Sequence, residues 1–413
     1  SRNLNLNLNL YLLSCSPCSR RAQGYNCPMA EPASIRPNRV RLRDIAGAFV
    51  KLGTIGFGGG VGMLALIRQE VVEKRRWVDD AQLSVAVAMG QMLPGPFVSN
   101  YAEYIGYELR GMRGMVTAVV ALLAPCLVLM AVLSALYFRY GSVPLVTRMF
   151  AGVQPVVVGI LGWATWNIGR ANVRTSKAAI IGAIAAVALF FKGDVLLVVL
   201  GCGVLGIVFS GAWRQAKGNG TGALAAVGFW LGSSGGLALP AVVQKAGELA
   251  LVFLKVGTVI FGGGFAAIPF LQHEVVDLHH WLSMREFIDG VALGQVTPGP
   301  VAITAAFIGY KVLGISGALI AALGTFLPST LMLWGLIHVY RRVSSNALVQ
   351  GFLSGVMPAV TGMLLWATVF LGRSAVTGPV QAVLAPFAFC LLLRFKIEPV
   401  WLILGGALVG LVT

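Results

Sequence analysis

Long apolar runs separated by short polar and basic stretches dominate the chain. In the first half they are Ile45–Ile67, Leu83–Leu109, Met115–Phe138, Leu145–Ile168 and Ala178–Ala212. Most match or exceed the ~20 residues that cross a bilayer core as helix. The residues from Met115 to Leu136 do not alternate between apolar and polar, as a barrel strand would. The last run breaks at Lys192-Gly193-Asp194, which predicts two short helices in a hairpin. The second half repeats this succession, and residues 222–243 add a weak candidate rich in Gly and Ser, for ten to thirteen spans in all. The pattern predicts an all-α polytopic membrane protein.

Composition agrees. Of 413 residues, 57% are apolar and only 11% charged, against about 25% charged in soluble domains. Mean hydropathy is +0.82. The net charge of +16 would suggest nucleic acid in a soluble protein. Here the basic residues stand between apolar runs, where membrane topology requires them, so nucleic acid is discounted. Cys15-x-x-Cys18 has no second pair at zinc spacing, and Cys27 stands alone, so neither a metal site nor a disulfide framework is implied. Cys126, Cys202 and Cys390 lie inside apolar runs and read as small packing residues. Residues 1–28 lack acidic residues. They read as a targeting segment or as sequence upstream of a start at Met29. The second is favoured because no apolar core ends in a small-residue cleavage site. The basic arm Arg36, Arg39, Arg41 and Arg43 is expected on the cytoplasmic side.

The chain is written twice. Lys51–Pro96 aligns without gaps on Lys255–Pro300 at an offset of 204, with 18 of 46 positions identical. The shared skeleton is Lys-x-Gly-Thr-x-x-Phe-Gly-Gly-Gly, then Glu-Val-Val, a Trp, and Gly-Gln-x-x-Pro-Gly-Pro. Further on, Gly152-Val-x-Pro155 with Trp163-Ala-Thr165 matches Gly355-Val-x-Pro358 with Trp366-Ala-Thr368, and Phe191-Lys192-x-Asp194 matches Phe395-Lys396-x-Glu398. The expected organisation is an extension and basic arm at 1–43, a first repeat at 44–212, a linker with one extra candidate span at 213–247, and a second repeat at 248–413. Each repeat holds five to six helices. Duplicated bundles with a site between their halves are typical of secondary transporters. The loop after the first Gly run holds Arg68, Lys74, Arg75 and Arg76, whereas its counterpart from Gln272 to Glu286 holds Arg285 alone. Equivalent loops are therefore expected to face opposite compartments, making an inverted repeat; the alternative is a parallel one.

Four helix breaks carry the candidate chemistry. Gly58-Gly59-Gly60 and Gly262-Gly263-Gly264 each cost roughly 1 kcal/mol per Gly in a helix, and in lipid the freed backbone groups need partners. A broken helix beside a cavity meets both conditions and offers N–H groups to an anion; close packing of small residues is the competing reading. Pro94-Gly95-Pro96 and Pro298-Gly299-Pro300 make the second pair of breaks. Gln91, Gln295 and Thr297 precede those breaks, and Asn100 and Thr304 follow them. These neutral groups suit an oxyanion, or ordinary interhelical hydrogen bonds. Lys51 and Lys255 recur seven residues before each Gly run, where a cation inside a span is costly. They either attract substrate or snorkel to the headgroups. Glu70 and Glu274 cap helices, pair with loop cations or carry protons. Glu103 and Asp289 are unrepeated acids, expected at a cavity rim and otherwise as proton carriers.

No catalytic constellation survives inspection. His273-Glu274-x-x-Asp277 lacks the second His of the zinc-protease motif, and no Gly-x-Ser-x-Gly elbow or Walker loop appears. The Gly runs follow helix, not strand, which removes dinucleotide binding. No cofactor, metal or catalytic residue is expected.

At Phe57–Gly60, Trp77 and Pro94–Pro96, and again at Phe261–Gly264, Glu274-Val275-Val276, Trp281, Gly294-Gln295 and Pro298–Pro300, the chain resembles the chromate ion transporter family in its long, duplicated form. The resemblance covers residues 44 to the C-terminus. It departs at Gly60, where many relatives carry Pro. It implies export of chromate, a tetrahedral dianion close to sulfate in shape and charge, across the plasma (inner) membrane. The expected partners are a chromate- or sulfate-type oxyanion and membrane lipid; a homo-oligomer is left open. A sulfate carrier and a non-transporting scaffold or sensor subunit are the alternatives. Expelling a dianion through 100 mV gains about 4.6 kcal/mol, enough for a roughly thousandfold gradient, so membrane potential, proton coupling or both are expected to drive export.

Overall fold

A computed structural model describes residues 40–57, 59–191, 193–213, 241–344, 346–395 and 397–412. The N-terminal cysteines, Arg36, Arg39, Gly58 and residues 222–240 of the candidate span at 222–243 lie outside the described residues. The described part is helical throughout. The first half holds α1 (Leu42–Ile55), α2 (Gly59–Arg68), α3 (Asp80–Met92), α4 (Phe97–Tyr140), α5 (Pro144–Asn172), α6 (Ser176–Phe190) and α7 (Val195–Ser210). The second holds α8 (Ala241–Val259), α9 (Ala267–Gln272), α10 (Met284–Val296), α11 (Thr304–Ser344), α12 (Ala347–Ala375), α13 (Pro379–Phe395) and α14 (Pro399–Val412). The repeat extends to detail. A π turn follows α2 at Gln69–Lys74 and α9 at His273–Leu278. Capping boxes, Asp79 with Gln82 and Ser283 with Glu286, open α3 and α10.

The run Ile45–Ile67 is not one straight span. Lys51 Nζ and Glu70 Oε2 meet at 2.9 Å, whereas 19 residues of continuous helix would hold them roughly 28 Å apart. The chain folds back at the Gly run, and Lys255 with Glu274 marks the same reversal in the second half. Nor is Leu83–Leu109 one span. A Cβ on Gly90 would strike the Tyr101 ring, and one on Gly290 the Phe307 ring, so α3 and α10 lie antiparallel to the helices that follow Pro-Gly-Pro. Hydropathy registers apolar length but not direction, which is why both reversals look like single spans in sequence.

A further reversal splits α4 and α11. Non-helical backbone at Arg110-Gly111 and Leu313-Gly314 turns the chain so sharply that Gly106 packs on Gly114, and Gly309 on Gly317. Residues 112–140 then cross the bundle. They start beside Tyr107, whose ring lies 6.2 Å from His338, and end with Phe138 stacked 6.2 Å from Tyr310. Equivalent turns therefore sit at opposite ends of the bundle. Four helices, Phe97–Tyr140, Pro144–Asn172, Val301–Tyr340 and Ala347–Ala375, are long and apolar enough to cross a membrane. The run Ala178–Ala212 is a hairpin of α6 and α7, closed where Lys177 Nζ donates to the Phe209 carbonyl at 3.1 Å.

Candidate functional site

The tips of the reversals converge. Gly95 N–H donates to the Ile260 carbonyl at 2.5 Å, and Gly299 N–H donates to the Gly56 carbonyl at 2.8 Å. Both pairs obey the 204-residue offset, so each Pro-Gly-Pro tip of one half closes on the Gly-run tip of the other. Gly95 and Gly299 take φ of 114° and 105°, a region open to glycine and strained for other residues. A Cβ on Gly299 would strike Cys126 Sγ, and one on Gly95 would strike Ser329. Cys126 lies halfway along residues 112–140, so the tips meet near mid-height.

A cavity of about 20 Å³, room for about one water, lies at this meeting point. Phe57, Phe265, Gly294, Gln295, Thr297, Gly299, Val301, Trp163 and Pro399 line it. Gln295 is 8% exposed, and its Nε2 is buried without a partner, so it offers a free donor. Thr297 Oγ1 donates to Leu293 O at 2.8 Å and Thr304 Oγ1 to Val301 O at 2.8 Å, so both hydroxyls serve their own helices. Gly262 and Gly263 adopt left-handed φ of 88° and 97° and lead into a 3₁₀ turn at Gly264–Ala266. The leading N–H groups of such a turn have no intrahelical acceptor.

The first half presents a different surface. Thr297 and Val301 become Leu93 and Phe97 at the 204-residue offset. The Phe97 ring covers Gly263, leaving no space for a Cβ there, and stacks 5.9 Å from Tyr101. Gln91 is exposed, while Gln295 is enclosed. Asn100 is fully buried with neither amide atom partnered. Gly59 and Gly60 open α2. Pro94, Pro96, Pro298 and Pro300 flank the two tip glycines and force the unwinding there.

Other candidate residues stand apart from this cavity. Lys51 and Lys255 do not line the cavity; each reaches away from the tip to its own Glu, at 2.9 Å and 2.6 Å. In each half the buried Glu carboxylate takes the ammonium. Glu70 also binds Arg75 at 2.8 Å. The Arg75 guanidinium and Lys51 ammonium hold its carboxyl below the usual carboxylate range, which disfavours a proton-carrying role. Glu274 binds Lys255 and lies 3.8 Å from His279, which occupies the place of Arg75. Asp289 borders a separate cavity of about 300 Å³, is 2% exposed, and is bonded to Tyr137 and Gln154. Glu103 is fully buried; Thr330 Oγ1 donates to its Oε1 at 2.9 Å, and Oε2 has no partner. The sequence reading missed Tyr137 and Gln154. Gln154 was signalled as the polar exception within Gly-Val-x-Pro, where the other half has Met357.

Two interlocked helical halves with a small cavity, polar at Gln295 and Thr297, where their broken helices meet fit a multi-pass membrane transporter. The chain belongs to the chromate transporter family, whose description, Chromate transporter, matches residues 43–207 and again 247–411. It is 33% identical to the Chromate transport protein of Cupriavidus metallidurans over 379 residues, 90% of this chain and 93% of that protein. It is 31% identical to the Probable chromate transport protein of Synechococcus elongatus, over 81% of this chain and 85% of that one. Identity to the Chromate transport protein of Pseudomonas aeruginosa is 30%, covering 88% and 90%. No solved structure matches the chain.

Proposed function

We propose that this protein exports chromate across the plasma membrane, with residues 44–212 and 248–413 as the two halves that alternate access to one central site. The observation that carries the reading is Gln295 Nε2, a buried donor without a partner in a cavity built by tips from both halves. In this conformation the cavity is too small for a tetrahedral dianion, so binding requires the tips to part. The Gly262–Gly264 backbone N–H groups then complete the hydrogen-bond shell, joined by Thr297 where its hydroxyl proton turns from Leu293 O to the anion.

In the bilayer, α3 and α10 are re-entrant. Each has 13 residues, roughly 20 Å of helix, against a core of about 30 Å. The crowded basic end, with Arg68, Lys74, Arg75, Arg76, Arg110 and Arg113, faces the cytoplasm; the opposite end carries Arg139, Arg148, Arg285 and Lys311. Outward movement of a dianion then runs down the membrane potential. Where protons are coupled, Glu103 is the carboxyl with a free oxygen to receive one, because Glu70 and Glu274 are occupied by cations.

The test is uptake of labelled chromate into inside-out vesicles, with and without an imposed potential and with sulfate as competitor. Potential-stimulated uptake is expected. Uptake of sulfate alone would reassign the substrate, and uptake of neither ion, with protein in the vesicles, would reject transport of these oxyanions. Strictly electroneutral exchange would reject the potential-driven version.

A further inference from the structure

Two buried carboxylates face the other half, and they are held differently: Glu103 accepts one bond, from Thr330, and Asp289 is held at both oxygens. Asp289 of α10 has both oxygens engaged by the other half: Tyr137 Oη donates to Oδ2 at 2.7 Å, and Gln154 Nε2 donates to Oδ1 at 2.8 Å. Rings of Phe138, Phe150 and Phe307 pack around Tyr137 at 5.1 to 5.3 Å. The internal repeat supplies a control. Asp289 corresponds to Val85 and Gln154 to Met357, while Tyr137 is kept as Tyr340.

Packing follows the same division. α10 rests against α5, α12 and α14, and Gln295 near its end is enclosed. α3 rests on α4 and α11, and Gln91 at the equivalent place is exposed. Asp289 also lines an outer cavity of about 300 Å³ with Arg285, Lys311, Thr147 and Ser142. Gln295, six residues further along α10 and so about 9 Å away, lines the inner cavity. Asp289 and its two partners thus stand between the outer cavity and the meeting point of the tips.

We propose that the Asp289–Tyr137–Gln154 contact is a latch that keeps this end of the transport path closed, and that the opposite end opens more readily because Val85 and Met357 cannot form it. Asp289 is a positioning residue: it touches no substrate and acts by tying α10 to α4 and α5. The inference rests on the transport reading for the existence of a path, but its test does not require flux.

The full chain, with every native Cys replaced by Ser and Thr297→Cys as reporter, is labelled with a membrane-impermeant methanethiosulfonate. Spheroplasts expose one end and inside-out vesicles the other. Slow labelling is expected from the latched end. Asp289→Val, which installs the residue of the other half, raises that rate roughly tenfold or more, because two hydrogen bonds holding the closed state are lost. Gln154→Met moves it the same way and Tyr137→Phe falls between. Labelling from the opposite end declines in each. Should Asp289→Val fail to reach the membrane, Gln154→Met and Tyr137→Phe decide the matter. Unchanged labelling from both ends, at normal membrane levels, overturns the latch. Chromate flux is measured separately in the chain that keeps Thr297: flux that persists with labelling unmoved removes the latch alone; absent flux with labelling shifted removes the substrate and leaves the latch.

Discussion

Thr165 and Thr368 touch, Oγ1 to Oγ1 at 3.2 Å, and they are the same residue of the two repeats. Equivalent residues meet only on the axis that exchanges the halves, so this pair locates that axis between α5 and α12. Each hydroxyl also donates to its own helix, Thr165 to Leu161 O and Thr368 to Leu364 O, so neither is left stranded when the other is removed. Thr165→Val and Thr368→Val should each cost under about 1 kcal/mol. The double variant should cost less than their sum, read from thermal unfolding in detergent.

Gln295→Ala should abolish oxyanion flux while membrane levels stay normal, because it removes the free donor of the central cavity. Gln91→Ala should be milder, since Gln91 is exposed and outside that cavity. Vesicle uptake normalised to protein content checks both.

Gly299→Ala should be strongly destabilising. It combines φ of 105° with a Cβ against Cys126 Sγ, and strain of that kind costs about 1–3 kcal/mol. Adding Cys126→Gly should recover only the steric part. Cys126→Ser should be tolerated, because Ser329 fills the equivalent place. Yield of monodisperse protein by size-exclusion chromatography ranks these variants.

Glu70 gives a pH dependence with a definite sign. Arg75 and Lys51 lower its folded pKa from the ordinary value of 4.5, so its stabilisation is complete above that value and is lost as pH falls through the lowered one. Thermal stability of the parent should exceed that of Glu70→Gln at neutral pH, and the gap should close only in stronger acid. A gap that closes near neutrality would contradict this. Lys51→Gln should leave Glu70 still bound by Arg75, so its effect should be the smaller one.

The breaks were legible because glycine runs and Pro-Gly-Pro announce unwinding wherever they occur, and the duplication was legible because the same residues recur. What the breaks do was not. A hydropathy run reads the same whether the chain passes through a break or turns back at it. The pairing of Lys51 with Glu70 was recoverable in principle, since a Lys and a Glu recur at the same 19-residue spacing in both halves. Asp289 left a fainter trace: it and Gln154 are polar where the other half has Val85 and Met357. Two unmatched polar residues buried in opposite repeats are a hint that they meet.

The reciprocal bonds at Gly95–Ile260 and Gly299–Gly56 also bear on how such a chain can be divided. Severed within residues 214–240, neither fragment could bond its own hairpin tip, and each would expose a bare carbonyl and amide at mid-height. Only a partner inserted upside down offers the missing groups. Co-expressed fragments should therefore be recovered together, and a lone fragment should persist only by pairing with an oppositely inserted copy of itself.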